Sequence, residues 1–404
     1  MAKLERWQKQ FFTLYIGQAF SILSSSILNM SIVWHITEAY ESAALLAVST
    51  MINFLPQAIL GIFIGVFIDR NNRQHIMIIA DLFMAAAAMV LVISGALGQM
   101  PLWLIYIVLF VRSVANSFHL PALQATIPNI VPKEELTRYA GFAHSFKSFS
   151  WLISPALAAV LYSVWQLNWI IFLDVIGAVL AVIFLRMAQI EESAHVQENG
   201  EENFMEEVKG GLRVIKQEPG LIQLLCICLL YSFIYFPIGT LFPLITMTWF
   251  QGGVAQSGLV EVLFSAGMLV GSLLLGVVGK RLDHLKAILT SIGIYGVCCL
   301  VTGLLPPTGL IIFMVISFII GLINPFYHSV LTSIYQSRIE DKYLGRVLSV
   351  TGSIGIIAMP IGLIFAGSFA ELIGVNHWFA ISGVLTLLIM LTGIIILPKY
   401  FKSA

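Results

Sequence analysis

The sequence is poor in charged residues. Lys, Arg, Asp and Glu together make up 10% of its 404 residues, and they balance to a formal net charge of zero. A soluble domain usually carries about 25% of such residues. With 59% hydrophobic residues and a mean hydropathy of +0.94, the chain has too few charges to cover a water-facing surface. We conclude that it resides in lipid.

Cysteine is also scarce, and its placement argues against a metal site or a disulfide framework. The four cysteines lie inside apolar runs, and no histidine stands at zinc-finger spacing from them. They are Cys226, Cys228, Cys298 and Cys299. We expect buried, reduced thiols and predict no bound metal. The start of the chain lacks the cleavage site of a secretory signal, so we expect the N-terminus to be retained.

Nucleotide-binding sequence is missing as well. The chain has no Gly-x-x-x-x-Gly-Lys-Ser/Thr motif and no segment long enough for a sizeable soluble domain. We therefore predict no ATP site, no cofactor, no enzymatic activity and no nucleic-acid partner. Any work done across the membrane would draw on an ion gradient.

Long apolar runs are what the sequence has in quantity. A helix needs about 20 apolar residues to cross about 30 Å of hydrocarbon, and twelve runs meet that length. Their approximate limits are 11–37, 44–68, 76–97, 102–125, 140–163, 167–188, 221–247, 256–279, 286–305, 309–334, 345–369 and 376–397.

Basic residues are confined to alternate connections. Lys and Arg precede the first run, follow every even-numbered run and close the chain, whereas the connections after odd-numbered runs have neither. Basic residues concentrate on the cytoplasmic side of membrane proteins. Both termini are therefore predicted to be cytoplasmic.

One long hydrophilic connection divides the runs into six and six. We predict an N-terminal half at 1–188, a cytoplasmic linker with an amphipathic helix at 189–219, and a C-terminal half at 220–404. The linker could alternatively bind a partner or regulate the protein. The apolar positions of its helix are Phe204, Val208, Leu212 and Ile215.

The two halves look like diverged copies. PKEELTRYAG before the fifth run resembles EDKYLGRVLS before the eleventh, and a proline follows at a similar place in both runs. We therefore predict an all-α membrane protein with twelve transmembrane helices in two pseudo-symmetric six-helix halves.

The turn between the second and third runs, GIFIGVFIDRNNRQH at 61–75, points to a family. It resembles the major facilitator superfamily signature Gly-x-x-x-Asp-Arg-x-Gly-Arg-Arg, in which Gly65, Asp69, Arg70 and Arg73 match. Asn72 stands at the usual glycine, and asparagine tolerates the left-handed backbone expected there. The resemblance implies the major facilitator fold, a parallel repeat about an axis along the membrane normal.

The same resemblance assigns a gating role to this turn. In the family fold the carboxylate at Asp69 meets the cytoplasmic N-terminus of the eleventh helix, near Arg346, when the inner side is closed. A helix N-terminus stabilises an anion by typically 0.3–1 kcal/mol. Gly65, Arg70 and Arg73 complete the predicted gating set. The alternative is a solvated turn whose arginines bind lipid phosphates.

Five charged residues lie inside apolar runs: Asp81, Arg112, Lys147, Asp174 and Glu261. Each costs roughly 2.5–3.5 kcal/mol at the bilayer centre on insertion scales, so unpaired placement toward lipid is unfavourable. Arg112 lies roughly 15 Å into the fourth run, near the midplane. It resembles the family's fourth-helix arginine, which implies a part in proton transfer.

We therefore predict proton coupling through Arg112, Asp174, Glu261 and Asp81. The alternative for Arg112 is a buried ion pair that fixes helix packing. For the carboxylates it is a structural hydrogen bond. Four histidines also lie in or near the runs, and we expect hydrogen-bonded packing residues rather than proton sensors: His35, His119, His144 and His328.

Aromatic residues near kinks in the runs are candidates for lining a substrate cavity. We predict this role for Tyr235, Phe236, Phe326 and Trp151, with ordinary packing as the alternative. Ser154-Pro155-Ala156-Leu157-Ala158-Ala159 stands where drug/proton antiporters have Gly-Pro-x-x-Gly-Gly. Its small residues still allow close helix contact.

Over nearly its whole length the sequence resembles a macrolide-efflux-type member of the superfamily. Stretches such as VLFVRSVANSFHLPALQA and LGRVLSVTGSIGIIAMPIGLI carry the likeness. It implies proton-driven export of a small lipophilic drug from a bacterial cytoplasm, by a monomer in the plasma membrane whose partners are substrate, protons and lipid. The alternatives are export of a siderophore or other metabolite, proton-coupled nutrient import, or a non-transporting receptor or assembly partner.

Overall fold

The computed structural model describes residues 5–188, 190, 213–279 and 282–400. These residues form twelve long α-helices. They are α1 Arg6–Tyr40, α2 Ala43–Arg70, α3 Arg73–Ala96, α4 Leu102–Ile130, α5 Leu136–Val164, α6 Leu167–Met187, α7 Leu221–Thr240, α8 Val254–Val278, α9 His284–Leu304, α10 Leu310–Arg338, α11 Asp341–Ile373 and α12 Val375–Ile396.

Ten of these helices are long and apolar enough to cross a membrane. Within α2 and α11, the described apolar stretches are the shorter Ala43–Gln57 and Ala358–Ile373. The predicted all-α membrane fold is confirmed. For α2 and α11, full spanning of the bilayer stays a prediction.

The seventh apolar run, 221–247, is predicted as one continuous span, but the structure breaks it into shorter helical pieces. α7 ends at Thr240, and a short helical piece, Phe242–Leu244, leads into a π-helical turn, Ile245–Trp249. Pro243 lies at the break. It has no backbone N–H, so it cannot continue the hydrogen-bond ladder of α7.

The first compact unit contains residues Met1–Ile36 and Ile52–Glu198. Within it α3 packs against α4 and α6, and α5 packs against the same two helices. A hydrophobic core of this unit gathers buried side chains from all six helices, including Phe11 stacked on Tyr15, with ring centroids 4.5 Å apart. Tyr139 of α5 meets Phe11 edge-on at 4.8 Å.

The second unit contains residues Thr37–Met51 and Asn199–Ala404. Within it α9 packs against α10 and α12, which repeats the packing of α3 against α4 and α6. The pseudo-symmetry predicted from sequence is therefore present in the helix pairing. The predicted domain boundaries stay a prediction, because the start of α2 clusters with the second unit. There the carboxylate of Glu371 accepts hydrogen bonds from Ser42 Oγ at 3.0 Å and the Ala44 N–H at 3.3 Å.

The side-chain cap at the signature turn between α2 and α3 has a counterpart at the turn between α8 and α9. Asn72 is not left-handed as we expected: its φ of −61° and ψ of 110° are extended, and its Oδ1 accepts the His75 N–H at 2.7 Å. It therefore caps α3, which explains asparagine at this place. Asp283 caps α9 in the same way through the Lys286 N–H at 3.1 Å, and this hydrogen bond lowers the pKa of the Asp283 carboxyl.

Close helix contact in the second unit depends on glycine. A Cβ atom built on Gly267 or Gly271 of α8 would overlap backbone atoms of Phe318 or Leu322 in α10. A Cβ atom on Gly321 of α10 would overlap the backbone of α8 in return. Hydrogen in place of a side chain therefore lets the two backbones touch.

Two smaller sequence predictions have mixed outcomes. All four cysteines are free thiols, but Cys226 is exposed, whereas the other three are buried as expected. Cys226 and Cys228 are two residues apart on one helix, so they cannot share a face. In the predicted linker helix, Ile215 is fully buried, and Phe204, Val208 and Leu212 lie outside the described residues.

Candidate functional site

A buried ion pair lies where α1, α4 and α6 of the first unit meet. Arg112 of α4 is 5% exposed and Asp174 of α6 is 1% exposed. The guanidinium Nη1 donates to Asp174 Oδ2 in a salt bridge. Two residues predicted to couple protons are thus brought together, although they are 62 positions apart in sequence.

Hydrogen-bond donors from α1 complete this pair. Ser25 Oγ donates to Asp174 Oδ1 at 2.7 Å and Ser24 Oγ donates to the same oxygen at 3.3 Å. Arg112 Nη2 in turn donates to Ser25 Oγ at 3.2 Å. Sequence reasoning missed both serines, although the run of three serines in an apolar helix was the available signal.

The protonation state of Asp174 decides whether the Arg112 guanidinium has a counter-ion. While ionised, its carboxylate receives donors from Arg112 and both serines, which is the geometry of strong charge-assisted hydrogen bonds. Protonation would leave the guanidinium buried without its counter-ion. Removing one partner of such a pair costs roughly 3–5 kcal/mol. A proton on Asp174 and the position of Arg112 are therefore energetically coupled.

A second pair lies between α3 and α4. Asp81 is 0% exposed and His119 is 5% exposed, and His119 Nε2 lies 3.5 Å from Asp81 Oδ1. Neither carboxylate oxygen of Asp81 nor His119 Nε2 has a hydrogen-bond partner among the described residues. Our expectation that His119 is a hydrogen-bonded packing residue is therefore wrong for Nε2, which instead faces a carboxylate.

Glu261, also predicted to couple protons, belongs to the second unit. Glu261 of α8 is half-buried and lies within electrostatic range of Tyr235. It forms no hydrogen bond or salt bridge within the described part of the chain. Asn324 Nδ2 donates to the Tyr235 hydroxyl at 2.5 Å, and the Phe236 ring centroid lies 5.6 Å from that of Tyr235. Phe326 is half-buried on α10.

The predicted gating residues are only partly described. Arg70 is exposed at the end of α2, and Arg73 Nη1 donates to the Ala125 carbonyl near the end of α4 at 2.6 Å. This hydrogen bond connects the start of α3 to α4, five residues before α4 ends at Ile130. The structure describes the helical backbone at Gly65, Asp69, Arg346 and, from the predicted cavity, Trp151, but not the surroundings of these residues.

Proteins of similar sequence indicate the family of this helical membrane protein with its buried ion pair. A family model described as transmembrane secretion effector matches residues 5–403. The chain belongs to this family. Its members are transporters of the major facilitator superfamily, not enzymes, so the predicted macrolide-efflux-type resemblance is confirmed and the chain is a multi-pass membrane protein.

Two relatives are similar to most of the chain. The sequence is 45% identical over 389 residues to the macrolide efflux protein A of Streptococcus pyogenes, covering 96% of each chain. It is 46% identical over 322 residues to the macrolide efflux protein A of Enterococcus faecalis, covering 80% of this chain and 99% of that one. The crystal structure of the nucleoside transporter NupG superposes with a TM-score of 0.76 over 98% of this chain and 100% of that one, at 10% identity. At that identity the likeness shows the fold alone.

Proposed function

We propose that this transporter exports macrolide-like lipophilic compounds from the bacterial cytoplasm by proton antiport with alternating access. The observation that carries the proposal is the buried Arg112–Asp174 pair, a titratable carboxylate held by a permanent cation at a junction of three helices. The similarity to two macrolide efflux proteins supports the substrate class.

The proton cycle follows from the charges of this pair. With the site open to the outside, a proton binds Asp174 and its salt bridge to Arg112 breaks. With the site open to the cytoplasm, the proton leaves and the ion pair reforms. Because the unpaired guanidinium is costly in apolar surroundings, proton binding and release bias the transporter between its two open states. Substrate moves outward as the proton moves inward.

The second unit supports a lipophilic substrate. The rings of Tyr235 and Phe236 pack edge to face, and the half-buried Glu261 is close enough to Tyr235 to interact with it electrostatically. Aromatic faces attract a cation by about 0.5–2 kcal/mol, and a carboxylate adds an opposite charge. This combination suits an apolar compound that bears a protonated amine. Glu261 is then a substrate or proton ligand, in keeping with its predicted coupling role.

The deciding experiment measures uptake of a radiolabelled macrolide into inverted membrane vesicles. We expect accumulation driven by an imposed proton gradient, its loss with an uncoupler, and its loss in Asp174→Asn. Ser272→Ala on the exposed part of α8 serves as the control. Accumulation that survives collapse of the gradient would refute proton coupling. If the wild-type protein transports a siderophore but no macrolide, the proposed substrate class is wrong.

We predict that Asp69→Asn slows export about two- to five-fold with unchanged expression. Loss of an anion at a helix N-terminus removes about 0.3–1 kcal/mol from the inner-closed state. Turnover in vesicles, compared with Glu134→Gln as a matched loss of an exposed carboxylate, measures the effect. Equal rates in both variants would mean that the turn only contacts lipid.

A further inference from the structure

The Asp81–His119 pair has the properties of a proton site that the export cycle above does not use. Both groups are buried, they are 3.5 Å apart, and three of their polar atoms are unpartnered among the described residues. An isolated buried charge is more costly than a buried pair of zero net charge. The pair is neutral when it holds one proton, either as carboxyl with imidazole or as carboxylate with imidazolium.

The neighbouring charges leave this pair electrically separate. α3 packs against α4 and α6. His119 of α4 is the charged or titratable partner that the structure gives Asp81, whereas Arg112 of α4 and Asp174 of α6 form a salt bridge with each other. Ala80, Met84 and Ala115 form a small buried apolar cluster on the same α3–α4 contact. The two pairs are therefore neighbouring but distinct sets of charges.

The positions along α4 place the pairs in series. Arg112, His119 and Thr126 are seven residues apart and share one face, so they follow one another at about 10.5 Å. All three are buried. Near the end of this row Arg73 donates to the Ala125 carbonyl. With the predicted orientation, the row runs from the bilayer midplane to the cytoplasmic end of α4.

We propose that Asp81 and His119 together form a second proton-binding site, which takes up and releases one proton as a unit on the cytoplasmic side of the Arg112–Asp174 pair. This inference rests on the proposed proton antiport for its role in the cycle. In the step itself no bond other than N–H and O–H changes. When the site opens to the cytoplasm, the pair releases its own proton to cytoplasmic water, in addition to the proton that Asp174 releases.

Infrared and nitrogen-15 histidine NMR titrations of the purified, full-length protein test the pair without transport. We expect Asp81→Asn to remove the infrared band of the Asp81 carboxyl or carboxylate group and to alter the titration of the His119 ring. In His119→Gln, ionising Asp81 would leave a lone buried charge, so the carboxyl band should persist to alkaline pH. Thr126→Val, one helical repeat further along, should change neither signal. If the His119 ring titrates in the same way in the wild-type protein and in Asp81→Asn, the proposal is refuted.

Proton counting separates this inference from the proposed function. Macrolide-induced proton release, measured with a pH indicator, should fall to about half in Asp81→Asn, because one of two coupled sites is lost. Asp81→Glu should restore it, which a purely structural role would not require. Full proton release in Asp81→Asn refutes the second site and leaves antiport intact. If Asp81 and His119 titrate as a pair but transport does not depend on the proton gradient, antiport is refuted and the second proton-binding site stands.

Discussion

Arg112→Ala should abolish proton-driven export and leave substrate exchange in place. Without the guanidinium, Asp174 loses its salt bridge and keeps only the serine donors Ser24 and Ser25. Breaking a buried pair by removing one partner costs roughly 3–5 kcal/mol, because it leaves the other charge uncompensated. At about 1.4 kcal/mol per tenfold change, proton-driven uptake should fall at least about a hundred-fold.

Two assays on the same vesicles make this prediction specific. Uptake driven by a proton gradient requires Asp174 to lose its proton, whereas counterflow of labelled against unlabelled macrolide does not. Arg112→Ala should fail in the first assay and work in the second. Arg112→Lys keeps the charge but not the forked donors that reach Asp174 and Ser25, so it should retain part of the driven uptake. Normal driven uptake by Arg112→Ala would show that the pair only fixes helix packing.

Gly267→Val should prevent stable folding of the second unit. The added Cβ would overlap the backbone of Phe318 and Leu322 on α10, and backbone atoms cannot turn away as a flexible side chain can. Overpacking usually costs 1–3 kcal/mol, and we expect more than about 3 kcal/mol here because α8 and α10 would have to separate. Thermal unfolding in detergent, followed by size-exclusion chromatography, measures the loss.

Gly276→Val is the matched control for this substitution. Gly276 lies on the same helix, but nothing lies within 4 Å of a Cβ built there. The Gly276→Val variant should therefore unfold at the same temperature as the wild-type protein. Gly321→Val, on the opposite side of the contact, should reproduce the loss seen for Gly267→Val. Wild-type stability of both Gly267→Val and Gly321→Val would mean that α8 and α10 do not touch at their backbones.

The signature turn shows how far a local motif can be interpreted. The motif located the boundary between α2 and α3 correctly, because the polar residues at the turn interrupt two apolar helices. It did not predict the backbone of Asn72, which is extended and caps α3. The side chain supplies a hydrogen-bond acceptor that the family glycine lacks, so a different turn conformation became favourable.

His119 shows the opposite case, a residue whose partner no local pattern indicates. Asp81 and His119 are 38 positions apart on different helices, and each looks like an isolated polar residue in an apolar run. Their proximity depends on the rotation of α3 and α4 about their axes. Ser25 is similar, since it becomes a ligand of Asp174 only when α1 packs beside α6.

The sequence by itself determined that this chain is a helical membrane protein, how many apolar runs it contains, and that its two halves repeat. The bilayer acts as a solvent on each run separately, so hydropathy summed along the chain is sufficient for these properties. Only the tertiary structure decided which polar residues pair. Arg112 meets Asp174, and Asp81 meets His119, through side-chain directions on neighbouring helices, which one-dimensional spacing does not contain.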